Sequence, residues 1–271
     1  MRTLSLLIVA GALLSGCAFG NAWILPRGAP AKDDGPRSYR FTVEHSIADT
    51  HGKVIKRERF SGDYTRGLPG GDASWKNVTH VDFESPDGPA GPAHKREFME
   101  GFRYHNDGTS SLAADFFKGF PAMAVPERNL VWDTGMIESF GQTQLEHLTL
   151  NQPYRFATAN GTVNMPGVGT FHNRDVQLTW MGRSRRNGRD CVLIGYSAYF
   201  NPLNVSVADA GISLEGRSHY WGEIWVALQT LQIEYATLHE DVLGTLKLGE
   251  HAPGQLVNVF RTGIFEPLQA R

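Results

Sequence analysis

From Ser38 onward the chain alternates. Tyr39, Phe41 and Val43 are separated by Arg40, Thr42 and Glu44, and a period of two between apolar and polar side chains marks a strand with one buried face. The turn Ala48-Asp49-Thr50-His51-Gly52 and the polar run Lys53 to Phe60 complete a hairpin. Trp75, Asn77, Thr79, Val81 and Phe83 mark a further strand, and His94 to Tyr104 reads as another, with Phe98, Phe102 and Tyr104 on one face. A second β-rich block runs from Gln152 to Pro267. Its clearest strands are Asp175–Met181, Asp190–Phe200, Ser218–Leu228, Leu231–His239 and Gln255–Phe265. With 41% hydrophobic residues the chain can bury a substantial core. The fold class expected is mainly β: about ten or more antiparallel strands with one or two short helices, forming a curved sheet (half-barrel) or a two-sheet sandwich. One short helix is expected after Ser110 or Ser111, carrying Leu112, Phe116 and Phe117 and stopped by Gly119 and Pro121; a second is expected near Gly135–Phe140.

One segment reads two ways. In Ser218–Leu243, Trp221, Ile224, Leu228, Leu231, Tyr235, Leu238 and Val242 are spaced as a helix stripe. The same stretch also reads as two strands rich in β-branched and aromatic residues, and its surroundings and Gly222 favour strands. A hairpin turning at Gln229-Thr230 would then pair Trp225 with Glu234, Trp221 with Leu238 and His219 with Glu240. Gln-Thr lacks the Asn or Gly that a tight hairpin turn prefers.

The N-terminus is of a different kind. Arg2 precedes an apolar run from Leu4 to Leu14, followed by small residues, which is the layout of a secretory signal peptide. The run is too short to span a bilayer, which takes about 20 residues. The tetrad Leu14-Ser15-Gly16-Cys17 resembles the lipobox of bacterial lipoproteins. That resemblance implies a signal peptide over residues 1–16 and a Cys17 thiol that takes a diacylglycerol and becomes the first residue of the mature chain, carrying acyl chains such as palmitate. With Ala18 rather than Asp after the Cys, it implies an outer-membrane destination facing the periplasm. Residues 17–37 then form the lipidated Cys and a flexible tether, and 38–271 a single β-rich domain. The tether could extend at most roughly 70 Å at about 3.5 Å per residue. Trp23, Ile24 and Leu25 on it would meet either the membrane interface or the domain.

The remaining signals are weaker. Lys+Arg number 26 against 28 Asp+Glu, so the net charge is -2, which argues against a nucleic-acid partner. If Cys17 is lipidated, only Cys191 is left, in an apolar run that suits a buried small hydrophobe. No nucleophile-elbow, P-loop, zincin or EF-hand motif occurs, and no cofactor is expected. The densest group of metal-type residues is His239-Glu240-Asp241, with His219 and His251 as companions, but neighbours on a strand point to opposite faces and no metal is expected. In the hairpin register above, Glu223 and Glu234 become diagonal neighbours beside Trp221 and Trp225. Paired carboxylates and indole rings at that spacing would suit glycan hydrolysis. The turn Gly182-Arg183-Ser184-Arg185-Arg186-Asn187-Gly188-Arg189 holds four Arg, either a solvated hairpin tip or a contact for phosphate or lipid headgroups.

Signal, length and strand content together loosely resemble the half-barrel carriers of lipids and lipoproteins in bacterial envelopes. The expected function is a lipid-anchored envelope protein, non-enzymatic, that binds an apolar small molecule or another envelope component. An envelope glycan hydrolase or lyase using Glu223 and Glu234 is one alternative, and a structural subunit of an envelope complex is another.

Overall fold

The structure is a computed structural model describing residue 25 and residues 35–108, 110–249 and 251–268. The signal peptide, Cys17, and Trp23 and Ile24 lie outside the described residues.

Thirteen strands form one antiparallel, curved and unclosed sheet. In chain order they are β1 (Arg37–Ala48), β2 (Val54–Leu68), β3 (Asp72–Asp82), β4 (His94–Lys95), β5 (Arg103–His105), β6 (Pro153–Arg155), β7 (Gly161–Met165), β8 (Gly169–Asn173), β9 (Gln177–Arg186), β10 (Arg189–Val207), β11 (Ile212–Ala227), β12 (Ile233–Leu248) and β13 (Gln255–Pro267). The main path runs β4-β3-β2-β1-β13-β12-β11-β10-β8-β7, so the first and last long strands pair and join the two sequence blocks. Of the two architectures expected, the half-barrel is the one observed.

The alternation in β1 is observed as expected, with Tyr39, Phe41 and Val43 fully buried. Phe265 of β13 stacks on Tyr39 at 4.4 Å between ring centroids and meets Phe41 edge-on at 5.8 Å. On the opposite face β1 and β2 carry polar cross-strand pairs, Thr42 with Ser61 at 2.9 Å and Arg40 with Asp63 at 2.5 Å. Such pairs stabilise a solvated face and hold its register.

The concave face is filled by one helix, α1 (Val125–Glu138), which continues as a wider turn through Ser139–Thr143. Gly141 lies so close to the sheet that a Cβ there would stand 3.0 Å from Ile224 Cγ2. The short helix expected near Gly135–Phe140 is thus the end of a longer one that starts at Val125, with Pro126 in its first turn. The helix expected after Ser110 is a single 3-10 turn over Ser110–Leu112 followed by irregular turns. The single strand expected over His94–Tyr104 is two short strands, β4 and β5, separated by a 3-10 turn at Glu97–Met99.

The Ser218–Leu243 segment is two strands, as favoured, but its register is shifted by one from that expected. Trp225 pairs with Tyr235, Trp221 with His239 and His219 with Asp241. The cause is local. The connection is a wider loop in which Leu231 adopts φ 57° and donates its N–H to Ala227 O at 2.8 Å. A bulge between the Trp225 and Val226 pairings then leaves Glu234 as the extra residue.

Candidate functional site

The bulge that displaces Glu234 also gives it a place. Its carboxylate is 2% exposed and accepts from Arg37 Nη2 at 2.8 Å, while Arg189 Nη1 lies 3.3 Å from the same oxygen. Asn187 Nδ2 donates to the Glu234 backbone oxygen at 3.1 Å. These groups line a cavity of about 790 Å³ at one end of the sheet, where β1 and β12 begin, β13 ends and the β9–β10 hairpin tip folds over.

The arginine-rich stretch differs from the turn expected. Residues 182–186 belong to β9, and the connection is only Asn187-Gly188, at φ 50° and 76°. Asn-Gly with both φ positive is the two-residue hairpin turn that matches strand twist. It places Arg186 and Arg189 directly opposite each other. The guanidinium of Arg186 lies 3.7 Å from the centroid of the Tyr235 ring and 5.6 Å from that of Trp225. Arg40, also in the lining, is paired with Asp63 at 2.5 Å, and Glu266 stands opposite it in the β1–β13 register.

Glu223 and Glu234 are not brought together as diagonal neighbours. Glu223 is beside Thr237, whose hydroxyl accepts its backbone N–H at 3.1 Å, and Tyr235 takes the diagonal place that the earlier register gave to Glu234. Trp225 meets Tyr235 edge-on at 5.3 Å and so borders the cleft, whereas Trp221 stacks on His239 at 5.7 Å farther along the outer face. The His239-Glu240-Asp241 run divides between faces: Glu240 is buried inside, bonded to Ser218 Oγ at 2.5 Å, and Asp241 faces outward opposite His219. Cys191 is buried and burial pushes its thiol pKa up, in keeping with a packing role.

Two further features were not expected as sites from the sequence. Glu58, His80 and Asp82 place one potential ligand atom each within 4.8 Å of one another. The Lys56 ammonium, 2.6 Å from Glu58 and 3.8 Å from Asp82, already supplies a positive charge there. The second is an aromatic cap between β5 and α1. Phe102 contacts Tyr104, Phe116, Phe117 and Phe120 at 4.9–6.2 Å between centroids, and Phe117 meets Trp132 at 5.2 Å. Phe117 is buried, whereas Phe102, Phe116, Phe120 and Trp132 are only half-buried. The clustering of Phe98, Phe102, Phe116, Phe117 and Phe120 within 23 residues was the available signal.

No protein-family model matches the sequence, and no curated protein matches it either. Among solved structures, lipovitellin, described for its lipid–protein interactions, aligns with a TM-score of 0.41 and 14% identity, over 89% of this chain and 25% of that one. A DUF1329 family protein from Desulfovibrio piger aligns with a TM-score of 0.17 and 7% identity, over 86% of this chain and 87% of that one. The chain thus spans a quarter of lipovitellin's length. At these scores neither likeness bears on function, and the half-barrel rests on its own strand pairing.

Proposed function

We propose that this is a lipid-anchored protein of the bacterial outer membrane, facing the periplasm, whose half-barrel binds an apolar ligand or another envelope component without catalysing a reaction. The aromatic cap carries this reading. Phe116, Phe117 and Phe120 stand on irregular backbone against α1 and β5, and rings on such backbone can part to admit an apolar molecule at little structural cost. Leu25 supports a close approach to the membrane. It is 5% exposed and belongs to the core, so a Cys17 anchor would be eight residues from the fold, a reach of roughly 28 Å at about 3.5 Å per residue. Several acyl chains, each buried methylene adding about 0.8 kcal/mol, would hold such an anchor firmly.

Two measurements test the two halves of this reading. Radiolabelled palmitate should enter the full chain and be lost in Cys17→Ser; incorporation that survives the substitution rejects the anchor. Residues 18–271, secreted behind a non-lipoprotein leader and extracted with organic solvent, should release a stoichiometric apolar molecule to mass spectrometry. An empty protein that also fails to take up a fluorescent fatty acid rejects the ligand reading and leaves the envelope-component reading to partner capture.

A further inference from the structure

The cleft beside Glu234 has more positive charge than its own carboxylates neutralise. Arg40 is paired with Asp63 on β2, and the other carboxylate of the lining besides Glu234, that of Glu266, is solvent-exposed. That leaves Arg37, Arg186 and Arg189 around a single buried carboxylate, Glu234. Among the described residues no carboxylate lies within ion-pair distance of Arg186; it rests face-on against Tyr235 instead. Stacking fixes the plane of the guanidinium and leaves its edge N–H groups free to donate. The remaining charged pair nearby, Arg185 with Asp190 at 3.4 Å, is solvent-exposed and neutral overall.

Placing Arg186 directly opposite Arg189 is unfavourable in itself, because like charges facing across a strand pair repel. A local arrangement that breaks such a rule without a compensating contact is a mark of a functional site. Arg37, Arg186 and Arg189 against the buried Glu234 and the exposed Glu266 leave a surplus of one positive charge, which favours an anion in the cleft. The planar forks of Arg186 and Arg189 suit bidentate donation to phosphate oxygens. Glu234 and Asn187 serve as the built-in orienting groups: the buried carboxylate steers Arg37 and Arg189, and the Asn187 amide fixes the hairpin tip to β12.

We propose that this cleft binds a phosphate-bearing anion, presented either on a lipid headgroup or as free phosphate. The site is independent of the aromatic cap and does not rest on the carrier reading. The headgroup source alone rests on the proposed anchor at Cys17.

The test uses the mature full-length chain in maltoside micelles, titrated with inorganic phosphate, dihexanoyl phosphatidic acid and dihexanoyl phosphatidylcholine, and followed by calorimetry. Saturable binding of phosphate and phosphatidic acid is expected. Arg186→Gln and Arg189→Gln should each weaken it by about 10-fold or more, Arg186→Lys should restore only part because a point charge replaces a fork, and Arg183→Gln, outside the lining, should change it by less than about 2-fold. Phosphatidic acid binding about 10-fold tighter than phosphate identifies a headgroup; equal affinities identify free phosphate. The proposal is overturned by no saturation up to about 10 mM of either anion, or by equal losses in Arg183→Gln and Arg186→Gln. Far-UV circular dichroism of each variant separates lost binding from lost folding.

Discussion

The guanidinium of Arg261, on the last strand, is bonded to the carboxylate of Asp133 on the only α-helix among the described residues, 128 positions earlier in the chain. The same guanidinium also bonds Glu240, whose other oxygen takes the Ser218 hydroxyl. The helix is therefore seated on the sheet by a buried ionic cluster as well as by Leu130, Val131, Ile137 and Phe140. Removing the cation strands two carboxylates away from water. Arg261→Met should cost about 3–5 kcal/mol in chemical denaturation. Adding Asp133→Asn and Glu240→Gln to it should recover part of that loss, and strict additivity of the three changes would show that they do not act as a unit.

Asp133 also gives the seat a pH dependence. Burial pushes its carboxyl up to about 6 from an ordinary 3.8, outweighing the pull of Arg261 in the other direction. Between those two values the folded state holds a proton that the unfolded state has released, so this group's contribution to stability is full below about pH 4 and is lost as pH rises through 6. Subtracting the Asp133→Asn melting curve from that of the wild type isolates the effect. The difference should turn against the wild type across pH 4–6 and be flat above about pH 7; a difference that grows in its favour there contradicts the assignment.

How much of this was legible depended on where the stabilising partners lay. β1 was readable because Tyr39, Phe41 and Val43 alternate with polar residues within one strand, and that alternation is a local signal. Helix α1 was readable only at its end, near Gly135–Phe140, because its buried side includes Glu127, Arg128, Thr134 and Glu138. Their partners, such as Arg96 for Glu127 and Tyr64 for Glu138, are distant in sequence, so no apolar stripe marks the helix. Pro126 in its first turn was the one local cue. The cleft was half visible: Arg186, Arg189 and Glu234 were singled out, but Arg37 is 197 residues from Glu234 and only the strand order joins them. The register was missed because a bulge carries no reliable composition signal. One unpaired residue set Glu234 among Arg37 and Arg189 instead of on the diagonal from Glu223.

Two glycines should respond to the same substitution with opposite signs. At Gly222 an added Cβ would stand 2.1 Å from Thr237 O and 2.6 Å from the Tyr196 hydroxyl, which itself donates to Thr237 O at 2.7 Å. Backbone cannot yield as a side-chain tip can, so Gly222→Ala should cost about 3 kcal/mol, at the upper end for overpacking. Gly135, inside α1, has nothing within 4 Å of the same position. Gly135→Ala should stabilise by about 0.5–1 kcal/mol, since alanine loses less backbone entropy in a helix. Thermal unfolding of the two variants side by side reads both, and two shifts of the same sign would contradict this account.

The aromatic cap should open more easily than the sheet it covers. Between Ser110 and Phe120 the backbone forms short turns such as Ala113 N to Ser110 O at 3.0 Å and Phe116 N to Ala113 O at 3.1 Å, with no strand partner. β10 to β12, by contrast, pair on both sides along most of their length. Hydrogen exchange reports the free energy of opening segment by segment, and exposed turn bonds open at far lower cost than a central ladder. Amides of 110–120 should therefore exchange at least about 100-fold faster than those of β11, a gap of about 3 kcal/mol or more in opening energy. Phe102→Ala removes the ring that contacts four others, and losing a half-buried ring should cost about 2–3 kcal/mol and raise cap exchange further. If the cap admits an apolar ligand, a bound fatty acid should slow exchange in 110–120 and leave β1 and β13 unchanged. Slowing spread evenly over the molecule would mean global stabilisation and would remove the cap as the entry point.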